Sequence, residues 1–271
     1  MHALPDLERR FGGLARLYGA AGAARLEAAH VGVVGVGGVG SWAAEALARS
    51  AIGRITLIDL DMVAESNTNR QIQALGDEYG KAKVEVMAAR ILAINPACEI
   101  HCIEDFVTRE NVATLLDTRL DVVIDAIDQV RVKAAMIAHC RRQGIAIVTA
   151  GAAGGQTDPT RIQRDDLTRT IQDPLLAKVR ALLRKEYGFP RAPKRFGIPA
   201  IYSTEPLRYP EAVCATGASA SGLNCAGFGS SVCVTAPMGF AAAATAIDIL
   251  LGGAQGQPAS GAPALLVEPD A

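Results

Sequence analysis

The sequence predicts an α/β fold with a doubly wound, mostly parallel sheet, helices on both faces and a C-terminal extension. Short apolar segments alternate with segments of helical periodicity five times within the first 150 residues, which is typical of such sheets. A glycine-rich turn, GVGGVG, directly follows the first apolar segment. Acidic residues follow the second and fourth segments, at the strand ends where ligands of these sheets bind.

The predicted strands are short apolar runs, and the helices between them repeat apolar residues every three or four positions. We expect strands at residues 31–34, 55–58, 99–103, 122–124 and 145–148. The first helix follows the glycine turn. The second ends at Asn95-Pro96, because the residue before a proline disfavours helical backbone. The third carries Ala134, Ile137 and Ala138.

After residue 150 the alternation fades and other elements are expected. Residues 161–163 and 200–203 are predicted strands, the first of them at the outer edge. A helix is predicted to begin at Asp173-Pro174, because aspartate can cap a helix and proline fits its first turn. Residues 232–251 are long and apolar enough for a membrane span, but many alanines, Pro237 and Asp248 favour a buried last helix.

The composition excludes several classes of protein. Of 271 residues, 50% are hydrophobic and 20% are charged, which allows a sizeable core and argues against wholesale disorder. The net charge is -1, so any contact with nucleic acid needs a local basic patch. Aromatic residues make up only 4%, which argues against a stacking platform for single strands.

The cysteines and the N-terminus bear on the cellular compartment. Six cysteines occur without a Cys-x-x-Cys pair, which argues against a disulfide framework and a four-cysteine zinc site. The N-terminal residues are charged and contain no apolar signal core. We therefore expect a reducing, cytoplasmic location.

The glycine cluster is the first candidate binding feature. Glycines let the backbone approach a phosphate, and the helix N-terminus that follows offers free N–H groups. Asp59 ends the second strand, at a spacing that suits a ribose hydroxyl. These features alone also fit a nicotinamide-dependent dehydrogenase, or a turn that only packs a helix on a strand. The cluster consists of Gly35, Gly37, Gly38 and Gly40.

Further polar residues favour ATP with magnesium over a dinucleotide. A triphosphate carries about four negative charges, which call for arginine and lysine side chains in addition to N–H groups. Magnesium prefers oxygen ligands, and Asp128 can supply one. Each residue alone fits a surface salt bridge or a helix cap equally well, but their joint occurrence behind a glycine loop favours ATP. The set consists of Asp61, Asn67, Arg70, Gln71, Lys83 and Asp128.

Four segments resemble the ubiquitin-activating-type adenylating superfamily, with its ThiF-like and MoeB-like members: GVGGVGSW, DLDMVAESNTNRQ, GKAK and DAIDQVRVK. These enzymes attack the α-phosphate of ATP with a carboxylate, form an acyl adenylate and release pyrophosphate. The resemblance implies that the glycine loop binds phosphates and Asp59 binds the ribose. It also implies phosphate contacts from Asn67, Arg70 and Lys83, a magnesium ligand in Asp128, and catalytic roles for Arg70, Lys83 and Asp128.

The same resemblance implies a homodimer with a shared site. In this superfamily an N-terminal arginine reaches the phosphates bound by the partner subunit. Gly13 stands at the position of that arginine, so Arg10 or Arg16 is the candidate replacement. The sequence does not choose between them, and both also fit a solvated helix face.

Longer segments narrow the resemblance to the branch that dehydrates threonylcarbamoyladenosine in tRNA: RFGGLARLYG, INPACEI, AGAAGGQTDPTRI, TRTIQDPLLAKVR and YSTEPLRYP. That branch lacks the zinc-binding Cys-x-x-Cys pairs of MoeB-like members, as this chain does. The implied reaction activates the threonine carboxylate with ATP. A group of the same threonylcarbamoyl unit then closes a ring, with net loss of water.

A tRNA substrate requires a basic surface, and one cluster of cations is a candidate. It lies within 18 residues, with only Glu186 opposing it, and also fits an ordinary solvated helix and loop. The cluster consists of Lys178, Arg180, Arg184, Lys185, Arg191, Lys194 and Arg195.

These predictions divide the chain into four parts. They are an N-terminal helical segment (1–30), a Rossmann-like ATP-binding domain (31–165), a part that faces the tRNA substrate (166–251) and a disordered tail (252–271). Residues 214–231 are rich in glycine, alanine and serine, and flexibility is expected there.

Several alternatives remain open at this point. The chain could instead adenylate the C-terminal carboxylate of a ubiquitin-like sulfur carrier, or be a non-catalytic scaffold, although Arg70, Lys83 and Asp128 argue against a scaffold. A sulfur-transfer partner of the cysteine desulfurase type and a bound monovalent cation are both possible. Cys214, Cys225 and Cys233 lie where some members carry a reactive thiol, but ring closure within the substrate does not require one.

Overall fold

The computed structural model describes residues 5–117, 119–209 and 228–253, and seven strands within them form one sheet. The sheet order is β3-β2-β1-β4-β5-β7-β6, and all neighbours are parallel except β6 and β7. The predicted doubly wound fold is therefore confirmed. The strands are β1 His30–Val34, β2 Arg54–Ile58, β3 Glu99–Ile103, β4 Val122–Asp125, β5 Ala146–Ala150, β6 Ile162–Asp166 and β7 Pro199–Ser203.

Helices cover both faces of the sheet, because successive residues of a buried parallel strand point to opposite faces. Val33 packs with residues of α2, α3 and α7 on one face. Val34, the next residue, packs with residues of α5 and α6 on the other. The helices are α1 Leu7–Ala28, α2 Gly40–Arg49, α3 Lys83–Ile94, α4 Val112–Leu115, α5 Val130–Gln143, α6 Pro174–Glu186 and α7 Val232–Leu250.

The strand order reverses between β1 and β4, which creates a crevice at their carboxyl ends. The chain leaves β1 at Gly35, whose N–H donates to the Ile58 carbonyl at 2.9 Å. It leaves β4 at Ala126, whose N–H donates to the Val34 carbonyl at 2.9 Å. The two turns that carry the candidate site residues therefore start side by side.

The later part of the chain extends the same sheet. β7 lies between β5 and β6, and β6 forms the edge of the sheet, where an outer strand was predicted near residues 161–163; the structure shows that it is antiparallel to β7. α6 begins as expected, with Asp173 Oδ1 accepting a hydrogen bond from the N–H of Leu176 at 2.9 Å. Residue 165, the predicted boundary between two parts of the chain, therefore lies within β6. The sheet extends past this boundary, because β7 comes later in the chain and pairs between β5 and β6.

α7 is the one described helix that is long and apolar enough to cross a membrane. It packs against α2 and against β4, β5 and β7, and 56% of its most apolar 18-residue stretch is buried. The predicted buried last helix is therefore confirmed. Residues 210–227, with most of the glycine-rich segment, and residues 254–271 of the predicted tail lie outside the described residues.

Candidate nucleotide site

The turn after β1 requires glycine at two positions. Gly35 has a φ of 86°, and a Cβ atom there would lie 3.1 Å from the carbonyl carbon of Ala126. A Cβ atom on Gly40, the first residue of α2, would lie 1.8 Å from the Gly35 oxygen. The turn thus packs backbone against backbone. It leaves the N-terminus of α2 at the carboxyl edge of the sheet, which suits phosphate binding.

Asp59 holds this turn against the end of β2. Its Oδ2 atom accepts a hydrogen bond from the N–H of Val36 at 2.7 Å, and its Oδ1 atom accepts one from the N–H of Asp61 at 2.9 Å. Nε2 of Gln73 donates to the Val36 carbonyl at 2.8 Å. Asp59, the predicted ribose ligand, therefore also positions the glycine loop. Gln73 shares this task, and no sequence signal distinguished it.

Lys83 lies beside the two aspartates, in the first turn of α3. Its Nζ atom is 2.7 Å from Asp61 Oδ2 and 4.0 Å from Asp59 Oδ1. The lysine side chain is 7% exposed, whereas the Asp61 side chain is 55% exposed. Lys83 is thus linked through Asp59 to the glycine loop, and a bound phosphate would compete with the exposed Asp61 for its ammonium group.

Arg70 has no acidic partner among the described residues. Its Nη1 atom donates to the Ser66 carbonyl at 3.0 Å and to Asn69 Oδ1 at 3.1 Å, which orients the guanidinium group. Burial lowers the pKa of Arg70, but an arginine remains charged at neutral pH. A half-buried cation of this kind favours an anionic ligand.

Asn67 and Gln71, the other residues predicted from this segment, are both buried and hydrogen bonded locally. Asn67 Oδ1 accepts a hydrogen bond from the N–H of Ala64 at 3.1 Å, and Gln71 Oε1 accepts one from Nε2 of Gln73 at 3.3 Å. The carbonyl oxygens of both amides therefore stabilise the chain itself. Their NH₂ groups are the atoms that suit an anionic ligand.

One pocket, which we call the nucleotide pocket, brings Asp128 to the glycine loop and Arg70. Among the residues that line it are Gly38, Val39, Arg70, residues 126–128, Leu207 and Phe228. Asp128 lies in the turn between β4 and α5, and no described cation pairs with it. The cavity is about 90 Å³, below the few hundred Å³ that ligands usually fill. A nucleotide would therefore extend from it along the edge of the sheet.

The donors at this pocket fit magnesium held jointly with phosphates. Within the described ranges, no three His, Cys, Asp or Glu side chains are grouped closely enough to hold a metal ion by themselves. Magnesium usually takes one or two carboxylates and completes its shell with phosphate oxygens and water. Asp128 alone is therefore a sufficient protein ligand if phosphates bind beside it.

Lys133 and Asp125 form a fully buried ion pair below the Asp128 turn. Lys133 Nζ is 2.9 Å from Asp125 Oδ1, and both side chains are 0% exposed. The same Nζ donates to the Ile127 carbonyl at 2.9 Å, and Asp125 Oδ2 accepts from Thr149 Oγ1 at 2.7 Å. The pair thus fixes the backbone that carries Asp128. Lys133 stands in the segment DAIDQVRVK, but no pattern in the sequence distinguishes it from a solvated lysine.

The two candidate arginines of α1 differ in their surroundings. Nη1 of Arg10 donates to the carbonyls of Ala93 and Ile94 at 3.0 and 2.7 Å. These carbonyls end α3, and Lys83 begins it, so roughly 16 Å of helix separates the contacts of Arg10 from Lys83 of the same chain. Arg16 is exposed and forms no hydrogen bond or ion pair within the described residues. Its side chain is thus the less constrained of the two.

The predicted basic cluster divides between two flanks of α6. At about 100° per residue, Arg180 and Arg184 fall on one side of the buried stripe, whereas Lys178 and Lys185 fall on the other. Arg184 lies over the ring of Phe196 at 5.3 Å and is half-buried. Arg191, Lys194 and Arg195 are exposed in the loop that follows. The four cations of the helix therefore lie as two pairs, one on each flank of its exposed side.

Comparison with known proteins is consistent with this site. The tRNA threonylcarbamoyladenosine dehydratase of Haemophilus influenzae is 51% identical over 255 residues, which are 93% of this chain and 97% of the relative. The enzyme of the same name from Escherichia coli is 53% identical over 251 residues, which are 90% and 94% of the two chains.

A solved structure supports the same relationship. The crystal structure of Escherichia coli tRNA N6-threonylcarbamoyladenosine dehydratase in complex with ATP superimposes with a TM-score of 0.83 at 50% identity. The match covers 92% of this chain and 97% of that one. The family model described as the ThiF family matches residues 11–262. The resemblance found in the sequence is therefore confirmed, and the chain belongs to the ThiF family.

Proposed function

We propose that this chain catalyses the ATP-dependent dehydration of N6-threonylcarbamoyladenosine in tRNA, through an acyl adenylate. The observation that carries this proposal is the nucleotide pocket, where Arg70 and Asp128 meet the glycine loop at the carboxyl edge of the sheet. Relatives named for this dehydration align along more than nine tenths of their own length, and one was solved with ATP. Both findings support an adenylating enzyme rather than a dehydrogenase.

The first step joins the threonine carboxylate to AMP. A carboxylate oxygen attacks the α-phosphorus of ATP, the bond to the bridging oxygen breaks, and pyrophosphate leaves. Arg70 and Lys83 supply positive charge, and the N–H groups at the start of α2 supply hydrogen-bond donors. Phosphoryl and adenylyl transfers need positioned charge more than acid–base chemistry, which matches a pocket whose described lining residues include no histidine.

Magnesium would bind Asp128 together with phosphate oxygens, and when bound it would neutralise charge on the phosphates. Asp128 would hold the ion in the pocket that it lines together with Arg70 and Gly38. The buried pair below it keeps the turn of residues 126–128 in place.

The second step closes the ring. A nucleophile within the same threonylcarbamoyl group attacks the activated carbonyl carbon, loses its proton and displaces AMP. One carboxylate oxygen therefore leaves on AMP, so that the substrate loses one water in total while ATP becomes AMP and pyrophosphate. Because the attack is intramolecular, the protein mainly holds geometry and excludes competing water.

The homodimer that the sequence resemblance implies remains part of this proposal. α1 presents large apolar side chains to solvent, with Leu17 70% exposed and Leu7 and Tyr18 more than a third exposed. Only Gly22 and Leu26 of this helix are buried. A second copy that covers α1 would bury these side chains and bring an N-terminal arginine towards the partner's phosphates.

Other parts of the proposal concern location and partners. A cytoplasmic location is consistent with Cys98, Cys102, Cys140 and Cys233 being free thiols. Of these, Cys102 and Cys233 are exposed, so a sulfur-transfer partner would have to use one of them or a thiol outside the described residues. A monovalent cation remains a proposal without a described site.

The decisive experiment incubates the purified protein with tRNA that contains threonylcarbamoyladenosine, ATP and magnesium. We expect digested tRNA to show a nucleoside lighter by one water in mass spectrometry. Lys83→Ala and Asp128→Ala should each lower the rate at least about 100-fold, which is the effect of removing one group that stabilises transition-state charge. Unchanged tRNA, together with pyrophosphate exchange that depends on a ubiquitin-like sulfur carrier, would assign the alternative function instead.

A further inference from the structure

A second cavity adjoins the nucleotide pocket. Pro174 and Leu207 line both, so the two spaces share a wall. The second cavity has a volume of about 400 Å³, within the range that small ligands fill. It opens between the start of α6 and the chain after β7. We call it the acceptor cavity.

Arg180 supplies the acceptor cavity with a cation. Its Nη1 atom donates to the Leu167 carbonyl at 3.3 Å and to Thr170 Oγ1, which orients the half-buried guanidinium group. No described carboxylate lies within salt-bridge distance of it. The nearby Asp173 uses both oxygens on backbone N–H groups, of Leu176 and Ala152 at 2.9 Å each. Arg180 is therefore available to an anion.

Tyr209 supplies an aromatic surface at the mouth of the same cavity. Its side chain is 74% exposed, and its ring lies 5.4 Å from the ring of Phe228. Phe228 lines the nucleotide pocket, whereas Tyr209 lines the acceptor cavity, so the pair extends from one space to the other. A large exposed aromatic ring beside a cation is the combination that holds an unstacked base of RNA and its phosphate.

We propose that the acceptor cavity receives the reacting nucleoside of the tRNA. Tyr209 stacks on its base, Arg180 pairs with an adjacent backbone phosphate, and the threonylcarbamoyl arm passes Pro174 and Leu207 to reach the nucleotide pocket. This inference rests on the proposed function. One aromatic ring is sufficient for a single base, so the low aromatic content of the chain does not oppose it.

The test compares Tyr209→Ala with Tyr209→Phe, using an anticodon stem-loop that carries threonylcarbamoyladenosine. Loss of one base-stacking contact should raise KM and the Kd of the stem-loop about 5- to 150-fold in Tyr209→Ala. Tyr209→Phe keeps the ring and should stay within about twofold of the unaltered protein. The Kd of ATP and the melting temperature should be unchanged in both, because the side chain is exposed and lies outside the nucleotide pocket.

Arg180→Gln tests the phosphate contact independently. We expect weaker binding of the stem-loop in this variant. The slope of log Kd against log salt concentration should also fall by about one, which corresponds to one counterion fewer released on binding. Arg142→Gln removes the same charge from an exposed position at the end of α5 and serves as the control, with no expected change. Arg180→Lys should restore the salt dependence.

The outcomes separate this inference from the proposed function. If the protein converts the stem-loop and Tyr209→Ala has an unaltered KM, the role assigned to the acceptor cavity is wrong, whereas the proposed function is supported. A fall in kcat with unchanged KM and Kd would also contradict base stacking. If the unaltered protein converts no tRNA but Tyr209→Ala still binds it more weakly, the function is wrong and the RNA-binding role of the cavity stands.

Discussion

Lys133 and Asp125 show how a pair of residues outside the reacting groups can control the site. Each is completely buried, and the lysine bonds both its aspartate partner and the Ile127 carbonyl. Because Lys133 bonds the turn of residues 126–128, which lines the nucleotide pocket, we expect a movement of this pair to displace Asp128. The pair is therefore expected to affect stability and activity together.

We predict that Lys133→Met destabilises the fold by about 3–5 kcal/mol, because it leaves the Asp125 carboxylate buried without its partner. The free energy of unfolding in urea measures this. Combining it with Asp125→Leu removes the unpaired charge and should recover part of the loss in stability without restoring activity. A loss below about 1 kcal/mol in the single variant would show that the pair contributes little.

His30, in β1, is expected to make the stability of the fold depend on pH. Burial, followed by the nearby charge of Arg54, lowers the pKa of His30, whose ring bonds Thr56 Oγ1 at 2.8 Å. The unfolded chain therefore binds a proton more readily than the folded one, and stability is full above pH about 6.5 and falls below it. Unfolding measured at pH 7.5 and 5.5 should show this loss, and His30→Gln should reduce the difference. An equal difference in both proteins would contradict it.

Among the elements, the packing of α7 on α2 positions residues that line the nucleotide pocket. Gly239 allows the two helices to approach closely, since a Cβ atom there would lie 2.5 Å from the Val39 oxygen and 2.8 Å from Trp42 Cβ. Trp42 Nε1 in turn donates to the Arg70 carbonyl at 2.9 Å. The last helix thus supports the segment that carries Arg70.

We predict that Gly239→Val destabilises the protein by about 1–3 kcal/mol through overpacking, and also weakens ATP binding because α2 carries the glycine loop. Thermal unfolding and ATP titration measure the two effects. Gly76→Ala, at an exposed position between β2 and α3, is the matched control and should be neutral, since its new Cβ would meet no atom within 4 Å. An unchanged ATP affinity in Gly239→Val would show that the packing of α7 on α2 does not affect ATP binding.

At the scale of the whole molecule, the proposed homodimer decides whether one chain contains a complete site. Arg10 is held by the end of α3, whereas Arg16 is exposed and unconstrained. We therefore expect Arg16, rather than Arg10, to reach the partner's nucleotide.

Sedimentation should show a dimer, and Arg16→Ala should lower activity more than Arg10→Ala does. Mixing inactive Arg16→Ala with inactive Asp128→Ala should restore part of the activity, because one site of the mixed dimer then has both residues. A fully active monomer would contradict the shared site.

The fold class, most elements and the glycine loop could be predicted from the amino-acid sequence, because they depend on the spacing of residues close together in the chain. The sequence also indicated Arg70, Lys83 and Asp128 as a set, through motifs that recur in one family. It could not show that Lys133 is buried against Asp125, since a lysine on a helix is usually solvated.

Contacts between residues that are far apart in the chain could be seen only in the folded structure. Folding brought Arg70 and Asp128 into one pocket and placed Arg10 at the far end of α3. It also set Leu207 and Pro174 between two cavities. These relations depend on how strands order in the sheet and how helices pack on it, which no local pattern encodes.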